Sequence, residues 1–316
     1  MSEPEPPNML CMEVWGGNNP VSSSVELGGL EAWVFSKPYA KAHRGGDVYY
    51  LSSCATGRIT RILLADVAGH GQAVASTAAD LRTLMRRFVN RLDQAEFVRL
   101  LNKQFAEMSK AGTFATAIVT TFFAPSRRLT ICNAGHPRPL LYRASQEQWH
   151  LLSRDGESTE AKVCNLPLGV FDFVEYEHFD VELQLGDRLV TYSDALIESR
   201  DADGEMLGEE GLLRIVRLLG DVPSQMLTET LLSEISSRYP ENLSDDDVTV
   251  LVVRANGSKP DLPLRQKLNS LFRFLGLLIR SPRPGAERAP FPDWNLANLG
   301  GAIFPVLARR WRARKN

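Results

Sequence analysis

Residues 59–71 read Ile59-Thr-Arg-Ile-Leu-Leu-Ala-Asp-Val-Ala-Gly-His-Gly71. The nearly unbroken apolar run Ile59–Ala65 suits a buried strand, and it delivers Asp66 directly into a glycine-relaxed turn. A metal or phosphate can approach the backbone closely in such a turn. Beyond it, Val74, Ala78, Leu81, Leu84, Met85 and Phe88 recur at helical spacing through residues 72–90. Upstream, Glu31–Ser36 and Asp47–Cys54 read as strands, with Gly45-Gly46 and Thr56-Gly57-Arg58 as punctuation. Downstream, a second helical pattern covers 94–109. Strands follow at Phe114–Ala124 and Arg128–Asn133, joined by the tight turn Pro125-Ser126-Arg127, and at Leu140–Arg143 and Trp149–Leu152. A strand at Arg188–Tyr192, helices near 209–219 and 223–238 and a strand at Val248–Arg254 complete the pattern. Strands and helices come in runs rather than in βαβ alternation, which predicts an α+β fold of antiparallel sheets covered by helices.

The 316 residues carry 36 Lys+Arg against 38 Asp+Glu, a formal charge of −2 that offers no general pull toward nucleic acid. That balance is uneven. Residues 259–316 hold 12 basic and 3 acidic residues, net +9, leaving 24 basic and 35 acidic residues, net −11, in 1–258. Seven of the 18 prolines also fall in 259–316, so a boundary is placed at residue 257. Cys11, Cys54, Cys132 and Cys164 lie far apart without C-x-x-C or zinc spacing and read as reduced thiols. The acidic, proline-rich start has neither a basic nor an apolar leader region, and no apolar stretch reaches the ~18–20 residues of a membrane span. The expectation is a cytoplasmic chain.

Four acids stand at the ends of expected strands or in the turns leaving them: Asp47 in Gly45-Gly-Asp47, Asp66, Asp194 in Tyr192-Ser-Asp-Ala195, and Asp246 in Asp245-Asp-Asp-Val-Thr249. Taken singly, each reads as a turn or helix cap. Brought together, their carboxylates repel one another unless cations neutralise them, and oxygen donors without His or Cys select Mg2+ or Mn2+ over zinc.

Seven motifs in order carry a resemblance: Gly45-Gly-Asp47, Asp66-Val-Ala-Gly-His-Gly71, Phe114-Ala-Thr-Ala117, Asn133-Ala-Gly-His-Pro137, Pro167-Leu-Gly169, Leu185-Gly-Asp-Arg-Leu-Val-Thr-Tyr-Ser-Asp194 and Asp246-Asp-Val-Thr249. Over residues 44–253 the chain resembles the type 2C metal-dependent protein serine/threonine phosphatases, in their bacterial stage II sporulation protein E-like branch. The resemblance implies a four-layer α-β-β-α sandwich of two antiparallel sheets flanked by helices. It implies two divalent cations, Mn2+ or Mg2+, with Asp66 bridging them, the Val67 carbonyl adding a ligand, Asp194 and Asp246 holding the second ion, and Asp47 contacting metal directly or through water. Asp47, Asp66, Asp194 and Asp246 are accordingly the expected catalytic residues. The implied substrate is phosphoserine or phosphothreonine on a small regulatory protein, such as an anti-sigma-factor antagonist. The chain departs from the family pattern at Ala195, where Gly is usual, and at Tyr50, where a second acid is frequent.

The domains expected are an N-terminal extension at 1–29, a metal-dependent phosphatase domain at 30–256 and a basic tail at 257–316 with an amphipathic helix at about 264–280. Two readings of that helix stand open: packing on the body, or a peripheral anchor on anionic lipid. His70 reads as packing at a helix start, His136 as a turn residue and Arg44 as a solvated side chain. The alternative to an enzyme is a phosphatase-fold binding module in a partner-switching pathway. A two-metal nuclease is disfavoured by the acidic body, which repels a polyanionic backbone.

Overall fold

A computed structural model describes residues 14–54, 57–69, 72–89, 91, 93–109, 112–153 and 164–258. His70 and all of 259–316, with the expected amphipathic helix and its lipid contact, lie outside the described residues. The order of elements is β1 (Val14–Gly17), β2 (Val21–Leu27), β3 (Leu30–Lys37), β4 (Asp47–Ser53), β5 (Ile59–Val67), α1 (Gln72–Phe88), α2 (Gln94–Met108), β6 (Ala115–Phe123), β7 (Arg128–Ala134), β8 (Leu140–Arg143), β9 (Gln148–Leu151), β10 (Phe179–Glu182), β11 (Arg188–Tyr192), α3 (Ala195–Glu198), α4 (Gly208–Leu219), α5 (Ser224–Arg238) and β12 (Val248–Ala255). Among the described residues, no helix is long and apolar enough to cross a membrane.

Two six-stranded sheets form, in the orders β1-β4-β5-β6-β7-β10 and β2-β3-β12-β11-β8-β9. Their strand ladders run antiparallel. Side chains alternate across each strand, so every strand feeds two layers. In β5, Ile62 and Leu64 enter the core between the sheets together with Leu51, Ile118, Val34, Leu189, Leu251 and Val253. Leu63 and Ala65 point the other way, into a core shared with Leu81, Met85, Phe97 and Leu101 of α1 and α2. On the far side, Val190, Tyr192, Val250 and Val252 pack against Leu212, Val216, Leu231 and Ile235 of α4 and α5. The result is the four-layer α-β-β-α sandwich.

Local chemistry fixes the helices at their ends. Asp93 caps α2 by accepting from Glu96 N at 2.9 Å, in the Asp-x-x-Glu arrangement of a capping box. The buried Arg61 of β5 reaches across to the α1–α2 connection and donates to the carbonyls of Val89 and Arg91, both at 2.7 Å. Burial lowers its pKa to about 10, and those carbonyls compensate its lost hydration.

The strands and long helices expected from periodicity are present. Residues 14–27, read as part of an N-terminal extension, instead supply β1 and β2, one to each sheet. Together with β10 they form three of the four sheet edges. Edge strands bury few side chains, which leaves their alternation weak: β2 shows Val-Ser-Ser-Ser before a clear apolar position. Leu64→Ala, at the centre of the inter-sheet core, is expected to cost about 2–5 kcal/mol. Urea unfolding checks it, and a loss under about 1 kcal/mol, the range of a surface change, contradicts this placement.

Candidate active site

The inter-sheet core ends in a polar layer. On β4 the inward positions run Leu51, Tyr49, Asp47, and on β5 they run Ile62, Leu64, Asp66. Asp47 stands directly opposite Asp66, and Asp66 directly opposite Thr116 of β6, so the three side chains form one row across the first sheet. The second sheet answers with hydroxyls. Thr249 Oγ1 and Ser36 Oγ pair at 2.9 Å, Thr249 N donates to Ser193 Oγ at 2.9 Å, and the Thr249 and Ser193 hydroxyls donate to the Asp47 carboxylate. Asp194 follows Ser193 at the end of β11, and Asp246 precedes β12.

Asp247 builds the turn that carries Asp47. Its carboxylate is 3 % exposed and accepts from Tyr39 N at 2.6 Å and Gly46 N at 2.5 Å. A Cβ at Gly45 would collide with that carboxylate, and one at Gly46 would lie 3.0 Å from the Val67 carbonyl oxygen. The glycine pair therefore permits a close approach that no other residue allows. Asn18 closes the same corner, donating to the carbonyls of Gly45 at 3.0 Å and Ala75 at 3.1 Å, which joins the turn to α1.

The four acids of the sequence reading are thus brought to one end of the sandwich, and their electrostatics show it. Burial first, then the charges of Asp194, Asp246 and Asp247, raise the Asp66 pKa from 3.8 to about 8. Burial and the charge of Asp66 hold Asp47 well above the carboxylate range. Asp194 is raised by burial and by Glu198. Protonated Asp66 donates to Asp194, so a proton supplies the positive charge this space lacks. Asp47 Oδ2 is buried and has no hydrogen-bond partner among the described residues.

Oxygen donors, a buried orphan oxygen and carboxyls driven to bind protons fit a site for hard divalent cations. Among the described residues, no three His, Cys, Asp or Glu side chains stand close enough to form a closed cation cage. The Val67 carbonyl faces the Gly46 turn.

Ala195 lies in α3, and its φ is not among the positive values. The Gly usual at this position is therefore not required by the backbone here. Tyr50 points away from the acids, into the core under α1 and α2. Arg44 is exposed. The roles of Asp247, Ser193, Thr249 and Thr116 were not singled out from the sequence. Their signal is the apolar inward face of each strand turning polar at the same end.

A sequence model of the family described as stage II sporulation protein E (SpoIIE) matches residues 56–256. The phosphoserine phosphatase RsbP of Bacillus subtilis (strain 168) is 25% identical over 219 residues, covering 67% of this chain and 50% of the relative. The chain therefore spans about half the length of that curated relative. The PP2C phosphatase domain of the cell fate determinant SpoIIE from Bacillus subtilis, solved with a fragment of its regulatory domain, superposes with a TM-score of 0.59 at 16% identity over 78% of this chain and 64% of that one. The catalytic domain of the serine/threonine phosphatase PstP, solved with two manganese ions, gives 0.50 at 20% identity over 72% and 98%. Both structural likenesses are likenesses of fold.

Carboxyls held above their unfolded range keep protons in the folded state that the unfolded chain has released. Metal-free stability must then fall as pH rises from near 3.8 toward about 8. Thermal melting of metal-free protein is expected to show this decline, with Mn2+ raising Tm more at the alkaline end and Asp66→Asn flattening the slope. A Tm independent of pH across that window contradicts the reading of the cluster.

Proposed function

Because this chain belongs to the stage II sporulation protein E family, we propose that it is a metal-dependent protein serine/threonine phosphatase acting on phosphoserine or phosphothreonine of a small regulatory protein. The observation that carries the proposal is the convergence of Asp47, Asp66, Asp194 and Asp246, distant in sequence, on the polar end of the inter-sheet core.

Asp47, Asp66, Asp194, Asp246 and the Val67 carbonyl would hold two divalent cations. Mn2+ or Mg2+ suits their oxygen donors, and the PstP neighbour was solved with two manganese ions. Bound there, such ions supply charge stabilisation and an activated nucleophile for hydrolysis of a phosphate monoester. The chain itself supplies placement. Asp66 and Asp47 are fixed by adjacent buried strands, while Thr249 and Ser193 orient the Asp47 carboxylate by hydrogen bonds. Asp247 holds the turn between Tyr39 and Asp47 without entering the row. Sites on rigid strands keep such geometry better than sites on loops. No side chain among these is needed as a covalent carrier of phosphate.

A phosphorylated anti-sigma-factor antagonist fits as substrate on the resemblance to the family, and the name of the RsbP relative supports phosphoserine. With Mn2+, the purified chain is expected to release phosphate from p-nitrophenyl phosphate and from a phosphoserine protein. Asp66→Asn and Asp194→Asn are each expected to lower turnover about a hundredfold or more. Turnover without divalent ions, or full activity in both variants, contradicts the proposal. Partner binding without cations and without phosphate release would support the binding-module reading instead.

A further inference from the structure

His136 lies in the connection from β7 of the first sheet to β8 of the second, outside the acidic row. It is held in a tight turn after β7. Asn133 Nδ2 donates to the His136 carbonyl and Asn133 Oδ1 accepts from His136 N, both at 2.8 Å. Gly135 takes φ +69 in this turn, and a Cβ there would reach to 2.5 Å of the Pro167 ring. The imidazole is 5 % exposed. A side chain so buried and so firmly oriented is placed by the fold rather than by solvent.

The ring meets both sheets, at Thr116 of β6 and at Tyr192 of β11. Nδ1 is 2.9 Å from Thr116 Oγ1, and Thr116 is the cross-strand neighbour of Asp66. Nε2 is buried and closes no hydrogen bond among the described residues, and the ring lies near the backbone of Tyr192, which ends β11 two residues before Asp194. Burial keeps the ring neutral, lowering its pKa to about 3, so it carries a single proton. Either tautomer pairs Nδ1 with the Thr116 hydroxyl, since a hydroxyl both donates and accepts. The pairing holds the Thr116 hydroxyl in one orientation and leaves Oγ1 at least one lone pair for other contacts.

We propose that His136 is a positioning residue for the carboxylate site. Its ring holds the Thr116 hydroxyl in place next to Asp66 and couples the strand beside Asp66 to the strand that leads into Asp194. The inference rests on the reading of the acidic cluster as a cation-binding centre. A hydroxyl oxygen held beside Asp66 offers a lone pair to a cation, or to water held by one. Partners that orient metal ligands in this way commonly change affinity or activity by about 10–100-fold when removed.

The test is Mn2+ binding, read from the paramagnetic resonance of the free ion, on the full chain and on His136→Ala, His136→Gln, Thr116→Val and the Ala/Val double variant. His136→Ala is expected to weaken Mn2+ binding about tenfold and to lower kcat toward p-nitrophenyl phosphate with KM little changed. His136→Gln retains a side chain that can hydrogen-bond Thr116 and is expected to recover most of both losses. The double variant is expected to be no worse than either single one, because the two residues act as a unit. Wild-type Mn2+ affinity in a folded His136→Ala protein, or losses that add in the double variant, overturns the proposal. Should His136→Ala fail to fold, Thr116→Val must show the tenfold weakening, and unchanged affinity there overturns it equally. A wild-type chain that binds Mn2+ but releases no phosphate refutes the phosphatase reading alone, while one that binds no Mn2+ refutes both.

Discussion

Like charges about 4 Å apart repel by about 4 kcal/mol at the effective dielectric near a protein surface, and folding here drives several carboxyls toward one another. Asp47, Asp66, Asp194 and Asp246 meet where the inter-sheet core of Leu51, Ile62, Leu64 and Ile118 gives way to polar side chains. The fold holds them there by means that do not relax: paired central strands, the Asp247 clasp on Tyr39 N and Gly46 N, and the hydroxyl network of Ser36, Ser193 and Thr249. Protons settle the conflict in the absence of a cation, which is why Asp66 titrates near 8 and shares its hydrogen with Asp194.

That constraint also explains the division of labour among the acids of the Asp245-Asp-Asp sequence. Asp247 is buried and accepts from two backbone amides, so it holds the turn, and its charge still adds to the field that raises Asp47 and Asp66. Asp246, one residue earlier, is half-buried and contributes its charge to Asp66. Of these adjacent identical residues one therefore also builds the turn, because the chain at the start of β12 turns successive side chains to different surroundings.

Much of this was legible in the residues. The apolar run ending in Asp66 marked a central strand, and the separate Asp motifs at strand ends marked the candidate site. The edges were not legible: β1, β2 and β10 pair on one side only and bury too little to impose a pattern. The hydroxyl layer was hidden for another reason. Ser and Thr at a strand end read equally as a turn, and only the facing sheet shows that Thr249 and Ser193 reach Asp47. His136 read as a turn residue, and it is one; its second role depends on Thr116 and Tyr192, which lie 20 and 56 positions away in the chain. Ala195 departs from the family's Gly, yet its helical backbone makes the methyl group compatible with the turn.

If a shortage of positive charge is what organises this end of the molecule, cations and protons must compete for the same oxygens. Calorimetric titration of Mn2+ at neutral pH, repeated in buffers of differing ionisation enthalpy, counts the protons displaced per ion bound. The account predicts release of about one proton or more per chain, lost when Asp66 is replaced by Asn. Mn2+ binding with no proton release, or binding unaffected by that replacement, would contradict it.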